Sequence, residues 1–129
     1  MRARILFVES SPDIAGAIAL MLESHLFAIT RTDDDRRAAE RIASEHFDVL
    51  VVEIKAHPEN SGLRFLRQIQ DEKPHLLQRV VAISSAPEES MRKELETIGV
   101  CDIVLKPVHE TEILEAVLEC LDSTPAAVQ

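Results

Sequence analysis

Polar residues that can bind ions or react follow most of the apolar runs in this 129-residue sequence. Glu53 comes directly after the apolar run 49–52, and Lys106-Pro107 follows a later run in the same way. The other polar residues at such positions are Glu9, Ser10, Ser84 and Ser85. Carboxylates, hydroxyls and an ammonium group supply both acceptors and donors. Together they would form a polar site if the fold brings them to one place.

Short apolar runs alternate with longer segments of helical spacing along the chain. The runs cover residues 5–8, 27–30, 49–52, 80–83 and 103–105. Most of them are continuously apolar, which is typical of strands covered on both faces. The segments between and after them carry apolar stripes with helical spacing, at residues 14–22, 38–43, 63–70, 91–98 and 113–121. Repeated strand–helix units predict an α/β fold with a parallel sheet, helices on both faces and right-handed crossovers.

This fold would bring the polar residues together. In open α/β sheets, ligands bind outside the carboxyl ends of the strands. Glu9 and Ser10 follow the first predicted strand, Glu53 the third, Ser85 the fourth and Lys106 the fifth. We therefore expect these side chains at one edge of the sheet, although they are far apart in the sequence.

Composition and charge exclude several classes of function. The net charge of −9 and the scattered basic residues argue against a nucleic-acid surface, which needs clustered lysine and arginine. No apolar stretch approaches the roughly 20 residues of a membrane span, and the N-terminus lacks the pattern of a signal peptide. The length fits one domain, expected over residues 1–122, with residues 123–129 as a flexible tail or the start of a linker.

Two further patterns concern cysteines and helix ends. Cys101 and Cys120 lack metal-ligand spacing, and we expect reduced thiols in a cytoplasmic protein. The acidic run 33–35 precedes a helix, where acids suit the helix dipole, so we interpret it as a helix start and not as a metal cluster. Gly99 follows an apolar stripe and is expected to end a helix.

Residues 4–121 resemble the receiver domain of two-component response regulators, the CheY-like family. The resemblance lies in "ILFVESSPD", in "DVLVVEI" followed by Gly62-Leu63, in "VVAISSA" and in "GVCDIVLKP". It implies a flavodoxin-like (βα)5 fold with strand order 2-1-3-4-5. It also implies a cis peptide bond at Pro107, since only X–Pro bonds adopt cis at low cost.

The resemblance assigns a role to each polar position. In the family, acids at the positions of Glu9 and Ser10 bind Mg²⁺, and an aspartate at the position of Glu53 accepts a phosphoryl group from a histidine kinase. A backbone carbonyl at the position of Lys55 faces the metal. The phosphoryl-contact and switch positions correspond to Ser85, Lys106 and Ile103, the last of which is commonly aromatic in the family.

This sequence departs from the family pattern at the centre of the site. Glu53 replaces the acceptor aspartate, Ser10 replaces an acid, and Ile103 replaces the aromatic residue. Exchanging aspartate for glutamate moves the carboxylate by up to roughly 1.5 Å, one carbon–carbon bond, whereas Mg²⁺ requires near-octahedral geometry. We therefore expect Mg²⁺ binding to be weak or absent, and we predict an ion pair between Glu53 and Lys106 with Ser85 nearby.

These departures favour a signalling module over an enzyme. The first hypothesis is an atypical receiver domain that binds a protein partner, a histidine kinase or an effector domain, through residues 88–106 and is not controlled by aspartyl phosphorylation. The alternative is a working Mg²⁺-dependent receiver that accepts phosphate through residual pocket residues. Homodimerisation through the same region is also open. A flavodoxin-like ligand binder is disfavoured because the chain has only four aromatic residues.

Overall fold

A computed structural model describes residues 3–8, 12–25, 27–54, 61–84 and 89–123. Strands and helices alternate in it as the apolar pattern predicts. The strands are β1 (Arg4–Val8), β2 (Ala28–Thr32), β3 (Val49–Ile54), β4 (Val80–Ser84) and β5 (Asp102–Leu105). The helices are α1 (Pro12–Glu23), α2 (Asp35–Ser44), α3 (Ser61–Glu72), α4 (Glu89–Ile98) and α5 (Glu110–Ser123), and a 3₁₀ segment (Pro74–Arg79) precedes β4.

All strand pairs in the described residues are parallel, and the strands lie in the order β2-β1-β3-β4-β5. Every residue of the inner strands β3 and β4 is buried, whereas the outer strands β2 and β5 are partly exposed. This distribution explains why the inner strands read as continuous apolar runs. This is the flavodoxin-like (βα)5 arrangement with strand order 2-1-3-4-5 that the resemblance implies.

Successive residues of each strand point to opposite faces of the sheet and enter two apolar cores. One core lies between the sheet and helices α1 and α5, and the other lies between the sheet and helices α2, α3 and α4. On β3, for example, Val49 and Val51 enter the first core, while Leu50 and Val52 enter the second. Both faces of the sheet are therefore covered, which holds the carboxyl ends of the strands in fixed positions.

The helix ends follow the local sequence signals. Asp34 is the N-cap of α2, and its carboxylate accepts a hydrogen bond of 2.7 Å from the backbone N–H of Arg37. Gly99 ends α4 with φ of 96°, a conformation that favours glycine, and its N–H donates to the carbonyl of Leu95. The acidic run is thus a helix start, and the predicted end of α4 is confirmed.

The expectation of reduced cysteines is wrong for this structure. Cys101, just before β5, and Cys120, on the buried face of α5, form a disulfide with Cα atoms 6.1 Å apart. That separation lies in the ordinary range for a disulfide. The pairing arises because α5 packs back against β5, which spacing along the chain does not reveal.

The end of the chain differs slightly from the prediction. Helix α5 extends to Ser123, one residue into the segment expected to be a tail, and residues 124–129 lie outside the described part. None of the helices in the described ranges has the length and apolar character needed to cross a membrane.

Candidate functional site

Glu53 lies near the carboxyl end of the central strand β3, opposite Ile83 of β4. A strand position in the middle of the sheet is covered by its neighbours on both sides, and Glu53 is accordingly only 5% exposed. A buried carboxylate is costly unless a partner compensates its charge. The sequence thus places an acid where it needs a partner.

Lys106 supplies that partner. It follows β5 directly, and its backbone N–H donates a hydrogen bond of 2.8 Å to the carbonyl of Ser84, so it continues the strand ladder by one residue. Its ammonium Nζ donates to Oε2 of Glu53 across the carboxyl edge of the sheet. The predicted ion pair is therefore confirmed, although the two residues are 53 positions apart in the chain.

The peptide bond between Lys106 and Pro107 is cis, as the resemblance implies. The lysine side chain is 20% exposed and the glutamate side chain 2% exposed. The ion pair is thus buried on the acid side and partly open to solvent on the amine side. For such a pair, the loss of hydration largely offsets the charge attraction, so its net contribution to stability is near zero while loss of either partner is costly.

Gly62, in the first turn of α3, keeps this helix close to the backbone of β3. A Cβ atom at this position would overlap the carbonyl oxygen of Glu53 and would lie 3.1 Å from Cδ1 of Ile54. Only glycine allows the start of α3 to come this near. The only hint of this role in the sequence is a glycine shortly after the loop that follows Glu53, and the contact itself could not be predicted from it.

The structure brings together only some of the predicted site residues. Ser84 is 1% exposed at the end of β4. Ile103, on β5, lies opposite Ala82 of β4 and packs against the core formed with α2, α3 and α4. Glu9, Ser10, Lys55 and Ser85 lie outside the described residues. Within the described ranges, no three side chains of His, Cys, Asp or Glu cluster closely enough to hold a metal ion.

The chemistry available to this pair is restricted. One carboxylate oxygen of Glu53 accepts from the Lys106 ammonium, so a cation already occupies that side of the acid. The arrangement fastens the end of β3 to the segment that follows β5 with one charge-assisted hydrogen bond.

A family model for the response regulator receiver domain matches residues 5–118. The chain belongs to this family. Apart from Arg4 at the start of β1, the match spans all five strands and most of α5 of this receiver domain, including Glu53 and Lys106. A search of curated protein sequences finds no match.

Solved structures show the same fold. A sensor protein from Polaromonas sp. JS666 is 23% identical, with a TM-score of 0.83 over 96% of this chain and 99% of that one. A CheY-like response regulator receiver domain protein from Methanospirillum hungatei JF-1 is 19% identical, with a TM-score of 0.85 over 98% and 99%. The receiver domain of a sensor histidine kinase from Pseudomonas aeruginosa PAO1, solved with magnesium, is 20% identical, with a TM-score of 0.82 over 95% and 100%. At these identities the likeness concerns the fold.

Proposed function

We propose that this receiver domain is an atypical signalling module that binds a protein partner and is not controlled by aspartyl phosphorylation. The observation that supports this proposal is the Glu53–Lys106 ion pair. In the family, the residue at the position of Lys106 contacts the phosphoryl group; here its ammonium is bound by the residue at the acceptor position. The ion pair replaces the phosphoryl group as the partner of the lysine and holds the carboxyl edge in one state.

Mg²⁺ fits these residues poorly. An octahedral Mg²⁺ site relies on carboxylate oxygens at about 2.0–2.1 Å. Glu53 directs an oxygen to Lys106, and the sequence has serine at position 10 where the family has an acid. We therefore assign no catalytic step to a metal and propose that the domain acts as a binding module and not as an enzyme.

The proposed partner surface is formed by α4 and β5, within residues 88–106, of which 89–106 are described. Receiver domains interact with histidine kinases and effector domains. Strand β5 is the outermost strand on its side of the sheet, and Leu105 on it is 38% exposed. An outer strand with an exposed apolar residue is suited to a protein contact. A second copy of the chain would use the same surface in a homodimer.

The site is tested by amide NMR during titration with Mg²⁺ and then with beryllofluoride, a mimic of aspartyl phosphate. We expect no shifts around Glu53 and Lys106 at millimolar Mg²⁺ in the natural sequence. The double variant Ser10→Asp with Glu53→Asp restores the family acids and is expected to gain Mg²⁺ binding. Lys93→Gln, an exposed change on α4, serves as the control for nonspecific effects of charge.

Saturable shifts of the natural sequence with Mg²⁺ and beryllofluoride would contradict the proposal and favour the alternative, a working phospho-accepting receiver.

The partner surface is tested separately with Leu105→Asp, which should abolish capture of the partner histidine kinase or effector while leaving the fold intact. Sedimentation of the natural sequence and of this variant distinguishes a homodimer from a heterologous complex.

We propose the cytoplasm as the site of action, in keeping with the partners proposed for the domain. The Cys101–Cys120 disulfide stands against a reducing compartment, where disulfides are rare, so the redox state of these two cysteines in cells tests the proposal directly. Rapid alkylation of thiols in intact cells, followed by mass measurement, would show both cysteines modified in a cytoplasmic protein. Protection of both cysteines would contradict a reducing location.

A further inference from the structure

A groove of about 420 Å³ opens at the end of the sheet opposite Glu53. It lies between the end of α2, the loop before β3 and the 3₁₀ segment before β4. Ile42 and Leu76 supply its accessible apolar lining, since both are only partly buried, while Phe47 and Leu50 lie beneath them at 4% and 1% exposure. The volume is within the range of roughly 300–1,000 Å³ that is typical of small-molecule sites.

Two cations line the groove, and both are oriented by neutral partners. The ammonium of Lys73 donates to the carbonyl of Ile42 at 3.2 Å, and the guanidinium of Arg79 donates to the carbonyl of Phe47 at 3.3 Å. Neither cation forms an ion pair with a carboxylate of the described residues. Since lysine has three donors and arginine five, both can bind a further acceptor.

The acid that lines the same groove, Glu45, already has two cationic partners. Glu45 binds Arg4 through one carboxylate oxygen at 2.7 Å and Arg41 through the other at 2.6 Å. These hydrogen bonds, that of Arg41 first, lower the pKa of Glu45, so it is firmly an anion in its ion pairs near neutral pH. It therefore does not cancel the charge of Lys73 and Arg79.

Positive charge in this groove contrasts with the acidic character of the chain. The chain as a whole carries −9, yet the ionised groups of the groove that lack a charge partner are cations. His46 and His75 also line the groove, and His46 contacts Asp48 at 3.0 Å. Concave surfaces lined by one sign of charge raise the local concentration of the opposite ion.

We propose that this groove binds a small organic anion, with its phosphate or carboxylate at Lys73 and Arg79 and a compact apolar body against Ile42 and Leu76. The two cations supply charge-assisted hydrogen bonds to the anionic group. The apolar residues supply the selectivity for an organic anion over an inorganic one. The site is independent of the Glu53–Lys106 pair, so it stands or falls separately from the proposed signalling role.

The test is an amide NMR titration of the whole domain with phenyl phosphate, with benzyl alcohol and inorganic phosphate as the matched neutral and inorganic probes. We expect saturable shifts confined to residues 42–50 and 73–79, with a dissociation constant on the order of 1 mM for a probe of this size. Lys73→Gln and Arg79→Gln should each weaken binding about tenfold. Lys73→Arg should retain binding because it keeps the charge, and Lys93→Gln on α4 should change nothing.

Three outcomes would overturn the proposal. The first is the absence of localised shifts at 20 mM phenyl phosphate, a concentration about twentyfold above the expected constant. The second is equal binding of inorganic phosphate, which would show general anion attraction without an organic site. The third is unchanged binding by Lys73→Gln and Arg79→Gln when their amide spectra show that both variants are folded.

Discussion

The two ends of the sheet hold their charged side chains in different ways. At the carboxyl end, Glu53 and Lys106 form one ion pair whose acid side chain is 2% exposed. At the amino end, Arg4 contacts Glu45 and also lies over the Phe47 ring, 5.0 Å from its centroid, and Arg41 binds the second oxygen of Glu45. The side chains of Arg4, Arg41 and Glu45 are 41%, 49% and 27% exposed.

Because the two ends differ in exposure, substitutions at each end should affect stability differently. For a buried pair, the free energy lost on desolvation is about as large as the charge attraction gained, but a single charge left in the interior is strongly destabilising. Exposed pairs are screened by water and each contributes little. The carboxyl end should therefore be sensitive to single substitutions, whereas the amino end should depend on its disulfide and on many small contacts.

The largest effect is expected for Lys106→Met. It removes the Lys106 ammonium from the buried carboxylate of Glu53 and should lower the free energy of unfolding by about 3–5 kcal/mol. Adding Glu53→Met removes the buried charge as well and should recover all but about 1 kcal/mol of that loss. Urea unfolding of the single and double variants measures both values. A single variant as stable as the natural sequence would show that the pair is not buried in solution.

Reduction of the disulfide should have the next largest effect, this time at the amino end of the sheet. The crosslink spans 19 positions. Because a crosslink over a loop of that length restricts the unfolded chain, it raises the free energy of unfolding by about 3 kcal/mol at 25 °C. Urea unfolding with and without a phosphine reductant measures the difference. The double variant Cys101→Ser with Cys120→Ala is the control, since the reductant should not change its stability. An identical curve for the reduced natural sequence would contradict the crosslink.

Gly62→Ala should destabilise by about 1–3 kcal/mol, because the added methyl group must push α3 away from the Glu53 carbonyl. Gly16→Ala in α1 is the matched control, since its methyl group would meet nothing within 4 Å. Alanine has the higher helix propensity, so this control should be slightly more stable than the natural sequence. Thermal unfolding of both variants provides the comparison, and equal melting temperatures would refute the close approach.

The smallest effect is expected for Glu45→Gln at the amino end. Arg41 and then Arg4 lower the pKa of Glu45 below its ordinary 4.5, so its ion pairs stabilise the fold above that pH and are lost as the pH falls through the lowered value. The variant should be slightly less stable than the natural sequence at pH 7, and the gap should close on acidification below pH 4.5. Urea unfolding along a pH series measures this difference in stability. A variant more stable than the natural sequence at pH 7 would show that Glu45 is repelled by its surroundings.

The sequence predicted those features that follow from local pattern and from strand order. The continuous apolar residues around Val51 and Val81 indicated inner strands, because covered strands need apolar side chains on both faces. The pairing of Glu53 with Lys106 was predictable because both follow apolar runs whose carboxyl ends share one edge of the sheet, and because the resemblance assigns them to the acceptor and lysine positions of one site. Gly99 was predictable from its place after an apolar stripe.

The features that escaped prediction depend on how separate segments meet in space. The groove joins residues of α2 with Lys73 and Arg79, and no periodicity relates these segments. The partnership of Cys101 with Cys120 depends on the way α5 returns to β5. The need for glycine at position 62 comes from a backbone oxygen nine residues earlier, which only the approach of α3 to β3 reveals.

The bond between Cys101 and Cys120 also changes what a protease can achieve. Helix α5 is the last element described and is connected to β5 by residues 106–109. A cut in that connection would ordinarily let the helix diffuse away. With the crosslink in place, the severed helix stays tethered beside its own docking site, where its effective concentration remains high enough for it to bind again. A nicked molecule should thus run as one species on a non-reducing gel and keep its fold.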